Sequence, residues 1–280
     1  MFIKEFSRPQ IMGVLNLTPD SFSDGGRYDT DKAVARGLEM IGEGADIIDI
    51  GGESTRPGAK RIGVAEQIDR VLDTIIGLAD RLPADIPISI DTTKSEVAAK
   101  AIEQGAGVIN DISAGRDDPE MFALAASTGV TIVLMHMQGS PEMMQRNPVY
   151  KDVISEVMRF LESRIEAAVK AGVSRESIVI DPGIGFGKGR RHNLQLLAHL
   201  KQLKAMGYPL MLGASRKGFM GSLCEVSNPH QLIPATCSTT ALGVIAGVDL
   251  FRVHDVWQNR QAADVAWAVQ QFAADSKKSE

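Results

Sequence analysis

Residues 46–58 read DIIDIGGESTRPG, and this stretch decides how the rest of the chain is interpreted. Its first half, DIIDI, has isoleucine at three of five positions, and a glycine-rich polar segment follows at once. A near-continuous apolar run is typical of a strand that is buried on both faces, as in a parallel sheet. The polar segment would then lie at the carboxyl end of that strand, where the chain turns toward the next element.

The same order of apolar run and polar cluster recurs along the chain. It gives eight candidate strands, at 10–16, 46–51, 87–91, 107–110, 131–136, 178–181, 209–213 and 249–253. Helical patterns lie between them. Eight parallel strands alternating with helices predict an α/β fold, a TIM (β/α)8 barrel with its site at the C-terminal face. An open doubly wound sheet is the alternative, because a count made from sequence can err by one element.

Length and composition restrict the class of protein. A barrel of this kind needs about 250 residues, so we expect a single domain over 1–280 with a frayed tail at 275–280. The net charge of −5 argues against non-specific binding of nucleic acid, which requires a basic surface. Cys224 and Cys237 lack the spacing of a zinc site and indicate a reduced chain. Because no apolar stretch suits a signal peptide or a membrane helix, we expect a cytoplasmic protein without membrane contact.

Two of the predicted strand-to-helix loops are long. They cover 17–30 and 52–63, and both are rich in glycine, serine, proline and charged residues. Long loops in a compact domain are usually functional lids or disordered segments. Lids are favoured here because both loops leave the face at which the polar strand ends gather.

Asn16 and Asp20 bracket the first of these loops. An amide oxygen and a carboxylate are hard donors, which suit Mg²⁺ better than Zn²⁺. An Asx turn or a helix N-cap is the structural alternative for both residues, and it is the stronger one for Asp20.

The second loop carries a candidate anion clamp. Pro57 and Gly58 favour a turn, while Thr55 and Arg56 offer a hydroxyl and a fork of N–H donors. Arginine in a glycine-rich loop can hold an anion. A solvated surface loop is the alternative.

Asp91, Asn110 and Asp181 each follow a buried apolar run. Ionised carboxylates are costly to bury without partners. If the three side chains converge at a barrel mouth, they suit a flat heterocycle with ring N–H and amino groups. Helix caps or internal ion pairs are the alternative, which fits Asp111 and Asp117 better.

Cationic residues follow the last two strands. Lys217 lies after the seventh strand, where barrels often bind anions, and Arg252 and His254 share one side of the eighth. Together they predict an anionic ligand. The glycine-rich run 181–188 lacks the spacing of a Walker phosphate-binding loop, and its Phe186 is either a wall of the site or part of the core.

The chain shows no Ser-His-Asp order, no cysteine nucleophile and no H-E-x-x-H motif. The residues therefore indicate a site that positions substrates and stabilises charge, rather than one that forms a covalent intermediate.

At these residues the sequence resembles the dihydropteroate synthases, pterin-binding enzymes of bacterial folate synthesis. The matching stretches are LNLTPDSFSDGG (15–26), DIGGESTRPGA (49–59), SIDT (89–92), VINDI (108–112), MHMQG (135–139), DPGIGFGK (181–188), SRK (215–217) and RVHDV (252–256). Only the first two are specific when taken singly, but together they follow the order of the family.

The resemblance implies a reaction, which joins 6-hydroxymethyl-7,8-dihydropterin pyrophosphate to 4-aminobenzoate and releases pyrophosphate. The pterin positions of the family match Asp91, Asn110, Asp181, Lys217 and Arg252. The pyrophosphate positions match Asn16, Arg56, Arg252 and His254, with Asn16 also reaching Mg²⁺. The aminobenzoate positions match Thr55, Arg56, Pro57, Phe186 and Lys217.

The resemblance also implies a homodimer and competition by sulfonamides, which imitate aminobenzoate. One departure is Gly218, where family members often carry serine. A pterin barrel that transfers a methyl group from methyltetrahydrofolate to a corrinoid protein is the nearest alternative. It needs no pyrophosphate clamp, and Arg56, Arg252 and His254 argue against it. A catalytically inactive pterin-binding module is the second.

Overall fold

A computed structural model of the chain describes residues 8–18, 23–24, 27–54, 58–59 and 61–276. Eight parallel strands form its centre. They are β1 (Gln10–Asn16), β2 (Ile47–Gly51), β3 (Ile88–Asp91), β4 (Ala106–Asp111), β5 (Thr131–Met135), β6 (Ile178–Asp181), β7 (Met211–Leu212) and β8 (Leu250–Val253).

The strands close into a barrel. Their spatial order is β6-β5-β4-β3-β2-β1-β8-β7, and a parallel bridge between Ile180 and Leu210 joins the two ends of this sheet. The prediction of a (β/α)8 barrel is confirmed, and the open sheet is not the fold of this chain. β7 is shorter than the predicted 209–213, and before it the N–H of Leu210 donates to Asp249 Oδ2 at 2.7 Å.

Helices surround the strands. They are α1 (Thr30–Gly42), α2 (Val64–Ala79), α3 (Ser95–Glu103), α4 (Met121–Thr128), α5 (Val153–Lys170), α6 (Arg190–Ala198), α7 (Leu200–Lys204), α8 (Gly218–Cys224), α9 (Ile233–Ala246) and α10 (Val256–Ser276). Single 3₁₀ turns cover Arg175–Ser177 and Pro229–Leu232. Within the first long loop, Ser23–Asp24 pairs antiparallel with Arg27–Tyr28.

Helix α5 illustrates how the sequence specifies these elements. The Asp152 carboxylate accepts the N–H groups of Ile154 and Ser155 and so caps the helix. Apolar residues at helical spacing, including Leu161, face the barrel and are buried. Complete burial of one such leucine contributes about 1.5–3 kcal/mol. The helix ends before Gly172, whose φ of +100° lies in the region that favours glycine.

Two apolar layers hold the barrel. The larger lies between the outer faces of the strands and the surrounding helices, and the smaller fills the barrel interior. Both cysteines, Cys224 and Cys237, are free thiols. Within the described part of the chain, none of the helices combines the length and the apolar composition needed to cross a membrane.

Candidate active site

Side chains inside the barrel stack in layers, because successive residues of a strand point to opposite faces. The interior apolar layer consists of Met12, Ile47, Val108, Val133, Val179, Met211 and Leu250. Two residues further on, the same strands carry Val14, Asp49, Asn110, Met135, Asp181, Gly213 and Arg252. An apolar floor therefore supports a layer in which four of the seven residues are polar, at the carboxyl-terminal end of the barrel.

A pocket of about 330 Å³ opens above the floor. Phe186 forms part of its wall, together with residues predicted from the sequence to meet at one site, namely Asp91, Asn110, Asp181, Lys217 and Arg252. Strand tips from distant parts of the chain thus converge on one cavity, as the barrel topology requires.

Arg252 joins two buried carboxylates. Its Nε donates to Asp49 Oδ2 at 2.6 Å, and its Nη2 donates to Asp91 Oδ2 at 2.7 Å. Burial disfavours the charge of Arg252, but the two carboxylates outweigh it and raise the pKa of the guanidinium. Burial also raises the pKa of Asp91 to about 7, against the charge of Arg252. The charge state of Asp91 therefore depends on this arginine.

Asp49 also orients the amide of Asn110. The Nδ2 of Asn110 donates to Asp49 Oδ2 at 3.1 Å. Since a carboxylate oxygen only accepts hydrogen bonds, the amide nitrogen must face Asp49. The amide oxygen of Asn110 is then the atom that can accept a hydrogen bond from a ligand.

Asp181 divides its two oxygens between the protein and the pocket. Oδ1 accepts the N–H of Gly183 at 2.7 Å. Oδ2 lies beside Gly213, where an added β-carbon would be 3.6 Å away from it. Burial raises the pKa of Asp181 to about 6, although the Gly183 N–H and nearby cations oppose the shift. At neutral pH this side chain presents a carboxylate oxygen to the pocket.

Lys217 and Phe186 also line the pocket and lie close to each other. The Nζ of Lys217 lies 4.1 Å from the centre of the Phe186 ring, a cation–π arrangement. Burial, together with the charge of Arg252, lowers the pKa of Lys217 to about 8. Phe186 belongs to a buried apolar cluster and lines the pocket as well, so both interpretations of this residue hold.

Arg216 and His254 are close in sequence to Lys217 and Arg252, but they make different contacts. Arg216 turns away from the pocket, with its Nε 2.9 Å from Asp255 Oδ2 and its Nη2 2.5 Å from Asp255 Oδ1. His254 is partly exposed, and its Nδ1 lies 3.0 Å from Ser215 Oγ. The ring of His254 is therefore anchored to the end of β7.

Asn16 ends β1 next to the pocket. A β-carbon built on Gly51 would lie 3.5 Å from Asn16 Oδ1 and 3.6 Å from Asp91 Oδ2, so both oxygens flank that glycine. Across the described ranges, no cluster of three or more His, Cys, Asp or Glu side chains could hold a metal ion. A metal here would need oxygen ligands from a substrate, as Mg²⁺ commonly takes from phosphates.

Four of the residues discussed from the sequence lie outside the described residues: Asp20, Thr55, Arg56 and Pro57. Their expected roles stay predictions. Asp111 has a structural role, although neither a helix cap nor an ion pair: it accepts the N–H groups of Ser113 and Gly115 in the loop that follows β4.

A second pocket of about 370 Å³ adjoins the first, and Asp91 lines both. The buried amide of Gln67 fixes the base of the 52–63 loop beside it. Gln67 Nε2 donates to Glu53 Oε2 at 2.7 Å, and Gln67 Oε1 accepts the hydroxyl of Thr92 at 2.9 Å. This chain of hydrogen bonds ties the loop to the end of β3.

Sequence comparison assigns the chain to a family. Residues 12–254 match the family described as pterin binding enzyme. A dihydropteroate synthase of Synechocystis is 43% identical over 94% of this chain and 90% of its own length. The chain belongs to the dihydropteroate synthase family.

Solved structures of dihydropteroate synthases share the fold. The Yersinia pestis enzyme, in a sulfonamide drug complex, aligns with a TM-score of 0.90 and 41% identity, covering 96% of both chains. The Xanthomonas albilineans enzyme with 4-aminobenzoic acid aligns with a TM-score of 0.88 and 45% identity, covering 94% of both chains. The main functional prediction is confirmed at the level of the family, and the methyltransferase alternative is set aside.

Asp49 and Gln67 are polar residues next to the pocket that the sequence patterns did not single out. Asp49 interrupts the apolar run of β2, between Ile48 and Ile50, both of which are fully buried. The sequence did contain a signal that Asp49 has a function, namely a charged residue within an otherwise apolar strand of the barrel. Gln67 gave no such signal, because one glutamine in an amphipathic helix resembles a solvent-facing residue.

Proposed function

We propose that this chain condenses 6-hydroxymethyl-7,8-dihydropterin pyrophosphate with 4-aminobenzoate to give 7,8-dihydropteroate and pyrophosphate. The observation that carries the proposal is the pocket in which Asp181, Asn110 and Asp91 meet Lys217 and Arg252 over an apolar floor. A flat ring with polar edges is complementary to such a cavity.

The pterin ring would lie with its polar edge against the carboxylates. Asp181 Oδ2 suits the amino group and the adjacent ring N–H, and the oxygen of Asn110 and the carboxylate of Asp91 suit further N–H donors. Lys217 would donate to the ring carbonyl. Arg252, held by Asp49 and Asp91, would lie along the ring.

The pyrophosphate group would meet Asn16, Arg56, Arg252 and His254 at the mouth of the pocket. The oxygen donor of Asn16 fits Mg²⁺ when the substrate supplies the other ligands. Bound there, Mg²⁺ would neutralise charge on the leaving group. Aminobenzoate would bind against Thr55, Arg56, Pro57, Phe186 and Lys217.

The reaction needs little proton transfer. The C–O bond to the pyrophosphate breaks first, and the electron pair leaves with the pyrophosphate. The resulting cation is delocalised into the pterin, where buried carboxylates such as Asp91 stabilise it. The neutral amine of aminobenzoate then forms the new C–N bond and loses a proton to solvent. Exclusion of water by the two long loops would protect the cation from hydrolysis.

A pyrophosphate-release assay with both substrates and Mg²⁺ tests this function. We expect release that depends on aminobenzoate and yields dihydropteroate in equal amount. Sulfonamides should compete with aminobenzoate in the same assay. If the pterin binds but no pyrophosphate is released, the chain is an inactive pterin-binding module.

Gly218 allows a separate test of the aminobenzoate site. Gly218 begins helix α8 directly after Lys217, and a β-carbon there would meet no atom within 4 Å. We expect Gly218→Ser to fold normally and to leave the pterin affinity unchanged. The KM for aminobenzoate should change by about threefold, because a neutral hydrogen bond contributes about 0.5–1.5 kcal/mol. Steady-state kinetics with each substrate varied in turn measures this. A large change in the pterin pyrophosphate KM would contradict the placement.

The exposed apolar face of α9 and α10 supports a homodimer. Val265, Val269 and Phe272 follow helical spacing on α10, and each is more than half exposed, as is Leu242 on α9. A contiguous apolar surface of this kind commonly marks an interface. We propose that a second copy of this chain covers it.

Sedimentation velocity should therefore give the mass of a dimer. Val269→Lys places a charge in the centre of the face and is expected to give a monomer that retains the secondary structure of the original chain. Lys201→Ala, on an exposed residue of another helix, is the control and should remain dimeric. A monomeric mass for the unaltered chain at micromolar concentration would rule the dimer out.

A further inference from the structure

Lys188 is the largest of the fully buried side chains in the described part of the chain, with 2% of its surface exposed. It lies in the loop between β6 and α6, next to the pocket but not on its wall. Burying an ammonium group is costly unless hydrogen bonds satisfy it. The protein must therefore supply hydrogen-bond acceptors around the Lys188 ammonium.

Four acceptors converge on the Lys188 ammonium. Its Nζ lies 2.8 Å from His136 Nδ1, and it donates to the carbonyl oxygens of Gly183 at 2.9 Å, Phe186 at 3.0 Å and His136 at 3.2 Å. Two of these carbonyls belong to the β6–α6 loop, and the other two acceptors belong to the residue that follows β5. The ammonium thus joins the loop to the neighbouring strand end.

The backbone of the loop is folded around this group. Gly183 has a φ of +68°, and a β-carbon there would lie 1.9 Å from the carbonyl oxygen of His136. Gly187 has a φ of +62°, and a β-carbon there would lie 2.4 Å from the carbonyl oxygen of Gln138. Only glycine permits this close approach to the neighbouring strand end. The loop therefore cannot adopt this shape with other residues at the two positions.

The same loop builds one side of the pocket. Gly183, whose carbonyl accepts from Lys188, also donates its N–H to Asp181 Oδ1 at 2.7 Å. Phe186, whose carbonyl accepts from Lys188, lies with its ring 4.1 Å from Lys217 Nζ. One residue thus connects the ammonium to the carboxylate, and another connects it to the apolar wall.

We infer that Lys188 is a positioning residue of the proposed reaction, an internal cation that holds the β6–α6 loop in the shape in which Asp181 and Phe186 form the pterin pocket. The inference rests on the proposed pterin roles of these two residues. It assigns no contact between Lys188 and substrate.

The charge of Lys188 is present in the pH range that matters for Asp181. Burial lowers the pKa of Lys188 to about 7, and the carboxylate of Asp181 opposes that shift, so the ammonium is charged near pH 6, where Asp181 titrates. Asp181 faces three cations: Lys188 of its own loop, Lys217 after β7 and Arg252 of β8. Each of them lowers the pKa of Asp181, so removal of Lys188 should raise it. Burial and the charge of Lys188 lower the pKa of His136 to about 2, which leaves its ring neutral and able to accept the hydrogen bond.

Lys188→Met tests the inference, since it keeps the length of the side chain and removes the charge. We expect the Kd for hydroxymethylpterin, measured by isothermal titration calorimetry, to rise about tenfold or more because small displacements of site residues have large effects. The acidic limit of pterin binding, which is the pH below which the pterin no longer binds, should rise by about one unit. The reason is that the pKa of Asp181 rises when it loses a neighbouring cation. A lysine with a purely structural role would lower the melting temperature and leave both values unchanged.

Lys204→Met is the matched control. Lys204 pairs with Asp249 at 2.6 Å, and Asp249 lies at the amino-terminal end of β8, on the face opposite the pocket. This variant should lose stability and keep the pterin Kd and its pH dependence. The inference is overturned if folded Lys188→Met has the Kd and the acidic limit of the unaltered chain.

If Lys188→Met does not fold, His136→Leu decides the question. This change removes one acceptor of the ammonium and alters no residue of the pocket wall. We expect the hydroxymethylpterin Kd to rise about threefold or more, and an unchanged Kd would overturn the inference. These are binding measurements, so they remain interpretable even if the unaltered chain releases no pyrophosphate. That result would refute the proposed reaction alone.

Discussion

Asp181→Asn is expected to lower kcat/KM for the pterin pyrophosphate by about a thousandfold, since a site built to accept N–H groups discriminates strongly once an acceptor is lost. The structure gives the reason at the level of single atoms. The N–H of Gly183 already holds one oxygen of Asp181 at 2.7 Å. An asparagine would keep its only oxygen at that N–H and turn its NH₂ group toward the N–H groups of the pterin. Donor would then face donor in a buried site.

Calorimetric titration with hydroxymethylpterin and steady-state kinetics measure the effect. Asp249→Asn is the matched control because Asp249 also accepts a backbone N–H, that of Leu210, at the other end of the barrel. The control should lose stability and keep the pterin Kd. Wild-type affinity in Asp181→Asn would mean that the pterin does not bind against this carboxylate.

The pH dependence of the unaltered chain should report the same group. Because burial raises the pKa of Asp181 to about 6, its carboxylate is protonated as the pH falls below that value. Pterin affinity should therefore lose a component as the pH falls through about 6, in addition to the component lost near pH 7 as Asp91 is protonated. In Asp181→Asn the component near pH 6 should be missing, and the one due to Asp91 should remain.

The second large effect is expected for Arg252→Ala, through both stability and leaving-group binding. Asp49 and Asp91 would be left buried without their shared cation, which costs about 3–5 kcal/mol for a broken buried ion pair. If Arg252 also holds the pyrophosphate, its loss should weaken binding of pterin pyrophosphate about a hundredfold, and binding of plain hydroxymethylpterin about tenfold. Arg252→Lys should recover little, because Asp49 and Asp91 are held by two different nitrogens of the planar guanidinium, and one ammonium nitrogen cannot occupy both positions.

Arg260→Ala separates the stability effect from the binding effect. Arg260 is also buried and also joins two carboxylates, Asp46 and Asp264, but it does so near the amino-terminal end of the barrel. It should lose a similar amount of stability in denaturant titrations and retain the affinity for both ligands. Equal losses for the two ligands in Arg252→Ala would contradict the leaving-group role.

The strands were predictable because their signal is local. Near-continuous apolar runs such as Ile47–Ile50 can be buried only between two layers, and the polar residue after each run marks the carboxyl end of the strand. Alternation with helices then imposes parallel pairing. The boundaries moved by one or two residues, and at the start of β7 the carboxylate of Asp249 accepts a backbone N–H, that of Leu210.

The chemical identity of the pocket was also predictable, because Asp91, Asn110, Asp181 and Arg252 are inward-facing residues at strand ends. Their partners were not predictable. In the sequence, Asp49 is only a charged residue that interrupts an apolar run. The closed barrel shows that it orients Arg252 and Asn110 from β2. Nothing in the sequence indicated that Lys188 is buried, and only the folded loop turns its ammonium inward.

By itself, then, the sequence determined the number and order of the strands and the polar side chains that follow them, because periodicity and burial act over a few neighbouring residues. The tertiary structure alone decided which side chains share a hydrogen bond. Arg252 and Asp49 are 203 positions apart, and Lys188 and His136 are 52 apart. Whether two residues so far apart along the chain come into contact depends on how the barrel closes. A local sequence pattern contains no information about that closure.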